Sequence, residues 1–110
     1  MPIATAEKVA ALSRDLHSQR RLAELLGVDP AQITRWRRGQ GIDDVNAERV
    51  DLLELVMSNL MRVYPVDAVE RWLVGLNPHL GDRRPIDVVR RGDVRELLDA
   101  IAAERAGSFA

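Results

Sequence analysis

The stretch QRRLAELLGVDPAQITRWRR, Gln19 to Arg38, decides how the chain folds. Leu22, Ala23 and Leu26 recur at helical spacing, which predicts a helix over Arg20–Leu26. Gly27 follows where a chain reversal needs positive φ, a region closed to most side chains. Asp29 is placed to cap the next helix, and Pro30 fits its first turn, where an amide hydrogen would be unused. That helix runs to about Arg38 and stops at Gly39-Gln40-Gly41. Two short helices that cross closely need a small residue at their contact, and Ala23 supplies it. They need a tight turn, and Gly27 supplies that four residues later. Leu22, Leu26, Val28, Ile33 and Trp36 then all face a helix that precedes them. The pattern is that of a helix-turn-helix.

With Ile33 and Trp36 turned inward, Ala31, Gln32, Thr34, Arg35 and Arg38 stay outside on the second helix. In DNA-binding proteins of this geometry that helix lies in the major groove, its N-terminal part against base edges. Gln32 can pair bidentately with adenine and Arg35 with guanine, so these two are the base-reading candidates. Gln19, Arg20, Arg37 and Arg38 suit phosphates, where they add affinity without sequence information. An ordinary helical hairpin with solvated arginines is the plainer alternative. The segment resembles the repressor-like Xre family, including Trp36 at the end of the recognition helix. That resemblance implies operator DNA as a partner and, for useful specificity, a dimer on a two-fold site.

Composition narrows the function classes. A chain of 110 residues suits one domain, or two very small ones sharing a core. At 46% hydrophobic and 30% charged residues it has the apolar material to fold. The absence of cysteine excludes a disulfide framework, a thiol nucleophile and a cysteine zinc site. The two histidines, His17 and His79, are far apart, and neither a metal nor a cofactor is expected. No stretch approaches the ~18 apolar residues of a membrane span. Met1-Pro2-Ile3-Ala4-Thr5 lacks the basic-then-apolar layout of a signal peptide, so the expected location is the cytoplasm. The net charge of −1 hides an asymmetry. Residues 1–40 hold seven basic against four acidic side chains, residues 41–110 nine against thirteen. A basic front suits a polyanion, and an acidic back suits a different partner.

Helical periodicity runs through the remainder, predicting an all-α protein. Val9, Leu12 and Leu16 follow Thr5, read as an N-cap with Glu7 in the first turn. A long helix over Ala47–Val63, capped by Asn46, carries Val50, Leu52, Leu53, Val56, Met57, Leu60, Met61 and Val63. Those residues cover about half its circumference, wider than the ~100° stripe of a helix on one core. Either a central position in the core or a dimer or partner surface accounts for that width. Asp67–Leu73 reads as another helix, and Pro85–Arg91 as a short one stopped by Gly92. Asp93 and Glu96 form a D-x-x-E capping pattern for a last helix, with Val94, Leu97, Leu98 and Ile101 inward and a loose tail over Ala106–Ala110. The expected organisation is a helix-turn-helix domain over 1–42, a connecting core helix over 43–64 and a small helical module over 65–110.

Residues 65–110 hold no glycine-rich phosphate loop, no serine–histidine arrangement and no carboxylate pair spaced for acid/base work, so the chain reads as a non-enzyme. Taken singly, Trp72 suits a core, Asn77-Pro78 a turn, Pro85 a helix start and Gly92 a helix stop. Taken together, the string W-L-x-x-x-N-P-x-L-x-x-x-x-P-I-D-V-V-x-x-G from Trp72 to Gly92 resembles the toxin-binding domain of the Xre/MbcA/ParS antitoxins. An Xre-type helix-turn-helix ahead of it is the usual arrangement there, so the resemblance spans about residues 10–106. One departure is Asp82, which follows Gly81 at a place where relatives often carry glycine.

The resemblance implies a bacterial type II antitoxin. Its partner would be a RES-domain toxin that degrades NAD⁺, neutralised by binding at or beside the active-site entrance, alone or within a larger hetero-oligomer. By similarity, Trp72, Asn77, Pro78, Leu80, Pro85 and Ile86 mark the docking module, most of them shaping it. The end of the chain, with Arg105, Ser108 and Phe109, could reach into a cleft, Phe109 being its apolar anchor. The same complex would repress its own promoter. A free-standing transcriptional regulator whose back half only dimerises fits the front half equally well. A toxin inhibitor whose helix-turn-helix no longer binds DNA is a third reading.

Overall fold

In the computed structural model, which describes residues 4–107, the chain is all-helical, with seven α-helices and no strand among the described residues. They are α1 (Thr5–Asp15), α2 (Gln19–Leu26), α3 (Pro30–Arg37), α4 (Asp44–Leu60), α5 (Val66–Val74), α6 (Pro85–Arg91) and α7 (Val94–Gly107). A single 3-10 turn, Pro78–Leu80, lies between α5 and α6. None of the described helices is long and apolar enough to cross a membrane. The chain divides into two compact units, Met1–Glu54 and Leu55–Ala110. The division falls inside α4, so the residues expected to form a connecting helix are shared between the units.

In the first unit, α1, α2 and α3 pack on one another. Val9, Leu12, Leu22, Leu26, Ile33 and Trp36 are buried there, as their spacing requires. α2 starts at Ser18, whose side chain accepts the Arg21 N–H at 3.0 Å, and ends at Gly27 with φ 71°. The Val28 N–H closes that turn on Ala23 O at 2.9 Å, as in a Schellman motif. Asp29 Oδ1 then accepts the Ala31 N–H at 2.8 Å, and Pro30 opens α3. Three residues thus reverse the chain, and each has a local reason to be there.

Two helix starts differ from the sequence reading. Thr5 is the first residue of α1 rather than its cap; Ala4 holds the cap position with no side-chain bond to the exposed amides. α4 begins at Asp44, and its cap is Asp43, whose Oδ1 accepts the Asn46 N–H at 2.7 Å. Asn46 is therefore capped rather than capping, with its Nδ2 donating to the same carboxylate at 3.1 Å. Aspartate takes the cap because its charge also opposes the positive end of the helix. Val50, Leu52, Leu53, Val56, Met57 and Leu60 of α4 are buried, whereas Met61 is exposed and lies past the helix end.

The second unit places Val69 and Leu73 of α5, Leu80 of the 3-10 turn, Ile86, Val88 and Val89 of α6, and Leu97, Ala100 and Ile101 of α7 in its interior. α7 buries a narrower face than expected. Val94 and Leu98 are 42% and 45% exposed, and Ala100 takes an inward place instead. Glu96 does not close a capping box; its carboxylate binds the Arg83 guanidinium and staples the loop before α6 to α7. The tail is helical as far as Gly107, where a loose end was expected from Ala106.

The charge asymmetry does not follow the two units. Residues 1–54 hold eight basic against nine acidic side chains, and residues 55–110 hold eight of each. The acidic excess lies within 41–54, in Asp43, Asp44, Glu48, Asp51 and Glu54. Asp51 is committed to Lys8 at 2.8 Å, tying α4 to α1 within the first unit. The second unit is neutral, so a partner would have to recognise it by shape and apolar surface more than by net charge.

Candidate functional site

In the first unit, α3 presents the face foreseen from the sequence. Ala31, Arg35, Arg37 and Arg38 are exposed and Gln32 and Thr34 half-buried, while Ile33 and Trp36 anchor the opposite side in the core. Arg20 is exposed on α2, and Gln19, at the first position of that helix, is half-buried. Gln19, Thr34, Arg37 and Arg38 surround a shallow cleft of about 260 Å³. The Thr34 hydroxyl donates to Gln19 Oε1 at 3.2 Å, which links the start of α2 to the middle of α3. On the exposed face, Arg35 Nε donates to Gln32 Oε1 at 3.3 Å. The cleft offers several N–H donors and the guanidinium charges of Arg37 and Arg38 on one concave surface, with Arg35 on the exposed face of the same helix, chemistry that suits phosphates and base edges.

In the second unit, the loop from Gly75 to Arg84 is organised by Asn77, which is 93% buried (7% exposed). Its Oδ1 accepts the His79 N–H at 2.9 Å, and its carbonyl accepts from Leu80 at 3.0 Å and Asp82 at 2.9 Å. Its own N–H donates to Arg83 O at 3.1 Å, forming an isolated antiparallel bridge. Arg83 Nε adds a bond to Leu80 O at 2.7 Å. Pro78 starts the 3-10 turn because it needs no donor there, and Gly81, at φ 64°, ends it.

That loop forms one wall of a cavity of about 350 Å³, lined by Arg71, Trp72, Gly75, Leu76, Asn77, Pro78, His79 and Glu104. Leu76 is 72% exposed, the most exposed of the large apolar side chains described. Trp72 is half-buried rather than core, and its indole Nε1 is buried with no hydrogen-bond partner among the described residues. An unmade bond of that kind costs roughly 1–3 kcal/mol. Glu104 accepts a hydrogen bond from the Tyr64 hydroxyl; this bond, then burial, then the carboxylate's charge push the Tyr64 phenol above its ordinary value.

Of the residues singled out from the sequence, Trp72, Asn77 and Pro78 meet at this cavity. Leu80, Pro85 and Ile86 are buried, so they shape the unit from inside. Arg105 is half-buried and its guanidinium donates to Asn59 Oδ1 at 3.3 Å. Ser108 and Phe109 lie outside the described residues. Leu76, His79 and Glu104 line the cavity without having been foreseen, although a leucine just past the glycine that ends α5 is a visible oddity in the sequence. No group of three or more His, Asp or Glu side chains among the described residues is arranged to hold a metal ion.

No protein-family model matches the chain. Over 89 residues, 80% of this chain and 79% of the relative, it is 30% identical to the mycobacterial cidal antitoxin MbcA of Mycobacterium bovis. The MbcA of Mycobacterium tuberculosis matches at the same identity and coverage. Among solved structures, the chain resembles one in the crystal structure of the M. tuberculosis MbcT-MbcA toxin-antitoxin complex, with a TM-score of 0.76 at 27% identity. That match covers 99% of this chain and 100% of the other. Its sequence and its helical architecture together place the chain in the family of the MbcA antitoxins.

Proposed function

We propose that the chain is the antitoxin of a cytoplasmic type II toxin–antitoxin pair. Its second unit docks on a RES-domain, NAD⁺-degrading toxin and closes the active-site entrance; its first unit binds operator DNA and represses the operon. The observation that carries this reading is the end-to-end similarity to a chain of a solved toxin-antitoxin complex. The cavity beside Trp72 and Leu76 supports a docking role, because an exposed leucine next to a half-buried tryptophan gains by covering. The exposed arginines of α3 support the DNA role.

The test is co-expression with the protein encoded by the adjacent gene, followed by size-exclusion chromatography with light scattering and an assay of cellular NAD⁺. A stable complex with preserved NAD⁺ is the expected result. Absence of both a complex and protection overturns the antitoxin reading. A free-standing regulator then remains, to be checked by DNA binding alone.

A further inference from the structure

Gln32 and Arg35 stand one helical turn apart on the exposed face of α3, and Arg35 Nε donates to Gln32 Oε1 at 3.3 Å. Each was read separately from the sequence, as a bidentate partner for adenine and for guanine. The hydrogen bond alters that. A guanidinium has two edges that can offer parallel N–H donors, one built from Nε and one Nη, the other from both Nη atoms. With Nε held by Gln32, the edge left for guanine O6 and N7 is the one formed by the two Nη atoms. Gln32 in turn commits one lone pair of its amide oxygen to Arg35, so the amide is oriented by the guanidinium before it meets a base. The bidentate adenine contact needs the amide oxygen and nitrogen together.

We infer that Gln32 is a positioning residue for Arg35, and that the pair reads one guanine through the Nη edge of Arg35 rather than an adenine and a guanine independently. The inference rests on the DNA-binding reading of the first unit. Holding a long side chain in one rotamer before it meets DNA lowers the entropy lost on binding, and it removes alternative poses that would accept other bases. Arg35 is exposed and Gln32 half-buried, and neither belongs to the buried core, so substitutions at both can be made in the folded protein.

The test begins by selecting sites from a randomised duplex library with the wild-type chain. The enriched duplex is then remade with each alternative base at every position. For the wild type, one guanine is expected at which replacement lowers affinity roughly ten- to a hundredfold. Arg35→Ala and Gln32→Ala should both flatten the preference at that same base pair, and the double variant should be no flatter there than Arg35→Ala. Gln32→Glu, whose carboxylate accepts the same hydrogen bond, should restore the guanine preference even though its negative charge lowers overall affinity. The inference is overturned if Gln32→Ala keeps the guanine preference and loses selectivity at a different base pair. It is equally overturned if Gln32→Glu behaves as Gln32→Ala. Enrichment of no site by the wild type would sink the DNA-binding reading itself, a failure distinct from the other two.

Discussion

Asp82 occupies the left-handed region at φ 63°, directly after Gly81 at φ 64°. Two successive left-handed residues turn the chain sharply from the 3-10 turn toward α6, and only the first is a glycine. An aspartate tolerates that conformation better than most residues but still at a cost relative to glycine. Asp82→Gly is therefore expected to stabilise the protein by about 0.5–1 kcal/mol in urea unfolding. Gly81→Ala should destabilise it by about 1 kcal/mol; a Cβ there meets nothing within 4 Å, so the cost is conformational. A second residue-scale prediction concerns Asp87. Arg84 holds it by two hydrogen bonds, 2.8 and 2.9 Å, and draws its carboxyl below the ordinary value against a smaller opposing effect of burial. A carboxylate depressed on folding adds stability above its unfolded pKa of about 3.9 and loses it as pH falls through the lower folded value. Both side chains are 41% exposed, so solvent screening keeps the contribution below about 1 kcal/mol. Asp87→Asn should lower stability by that small amount at neutral pH, and the gap to the wild type should close in acid. A constant gap from neutral pH down into strong acid would contradict the assignment.

At the scale of elements, α4 separates what local chemistry specifies from what packing decides. Asp43 is its cap and Asn46 the residue capped, so Asp43→Ala should cost about 1 kcal/mol in urea unfolding and Asn46→Ala less than half as much. The reverse order would restore the sequence reading. Helix ends written in glycine and proline were legible, because those residues have backbone preferences independent of context. Gly27, Pro30, Pro85 and Gly92 all mark boundaries as read. Caps were less legible, since asparagine, aspartate and threonine are interchangeable until the chain direction before the helix is known. The inward face of α7 was misjudged for a related reason. Periodicity gives a stripe without its width, and Val94 and Leu98 fall just outside the strip that the interior of the second unit covers. The candidate sites divide in the same way. The α3 face follows from one helix and its buried anchors, Ile33 and Trp36, and was read directly. The cavity beside Trp72 is made by α5, the Asn77 loop and Glu104 from 32 residues further on than Trp72, a proximity that no local pattern encodes.

At the scale of the whole molecule, the two proposed binding surfaces are separable. Each unit has its own interior, and the residues proposed to meet DNA and toxin lie in different units, so each activity should fail without the other. Arg35→Ala removes an exposed side chain and should weaken operator binding by about 1–3 kcal/mol while leaving toxin neutralisation intact. Leu76→Glu places a charge on a side chain already 72% exposed, which costs the fold little. In the proposed complex the same charge would be buried against the toxin without a partner, and complex formation should fall by at least tenfold while operator binding stays within twofold. The melting temperature supplies the control. Saturating toxin should raise that of the wild type, since a partner bound only to the folded state at a hundred times its dissociation constant adds about 2.7 kcal/mol. The Leu76→Glu protein alone should melt like the free wild type, and a tenfold weaker affinity cuts its gain from the same toxin concentration to about 1.4 kcal/mol or less. If it gains as much as the wild type, the toxin sits elsewhere on the second unit, and the exposed pair Val94 and Leu98 on α7 becomes the surface to test.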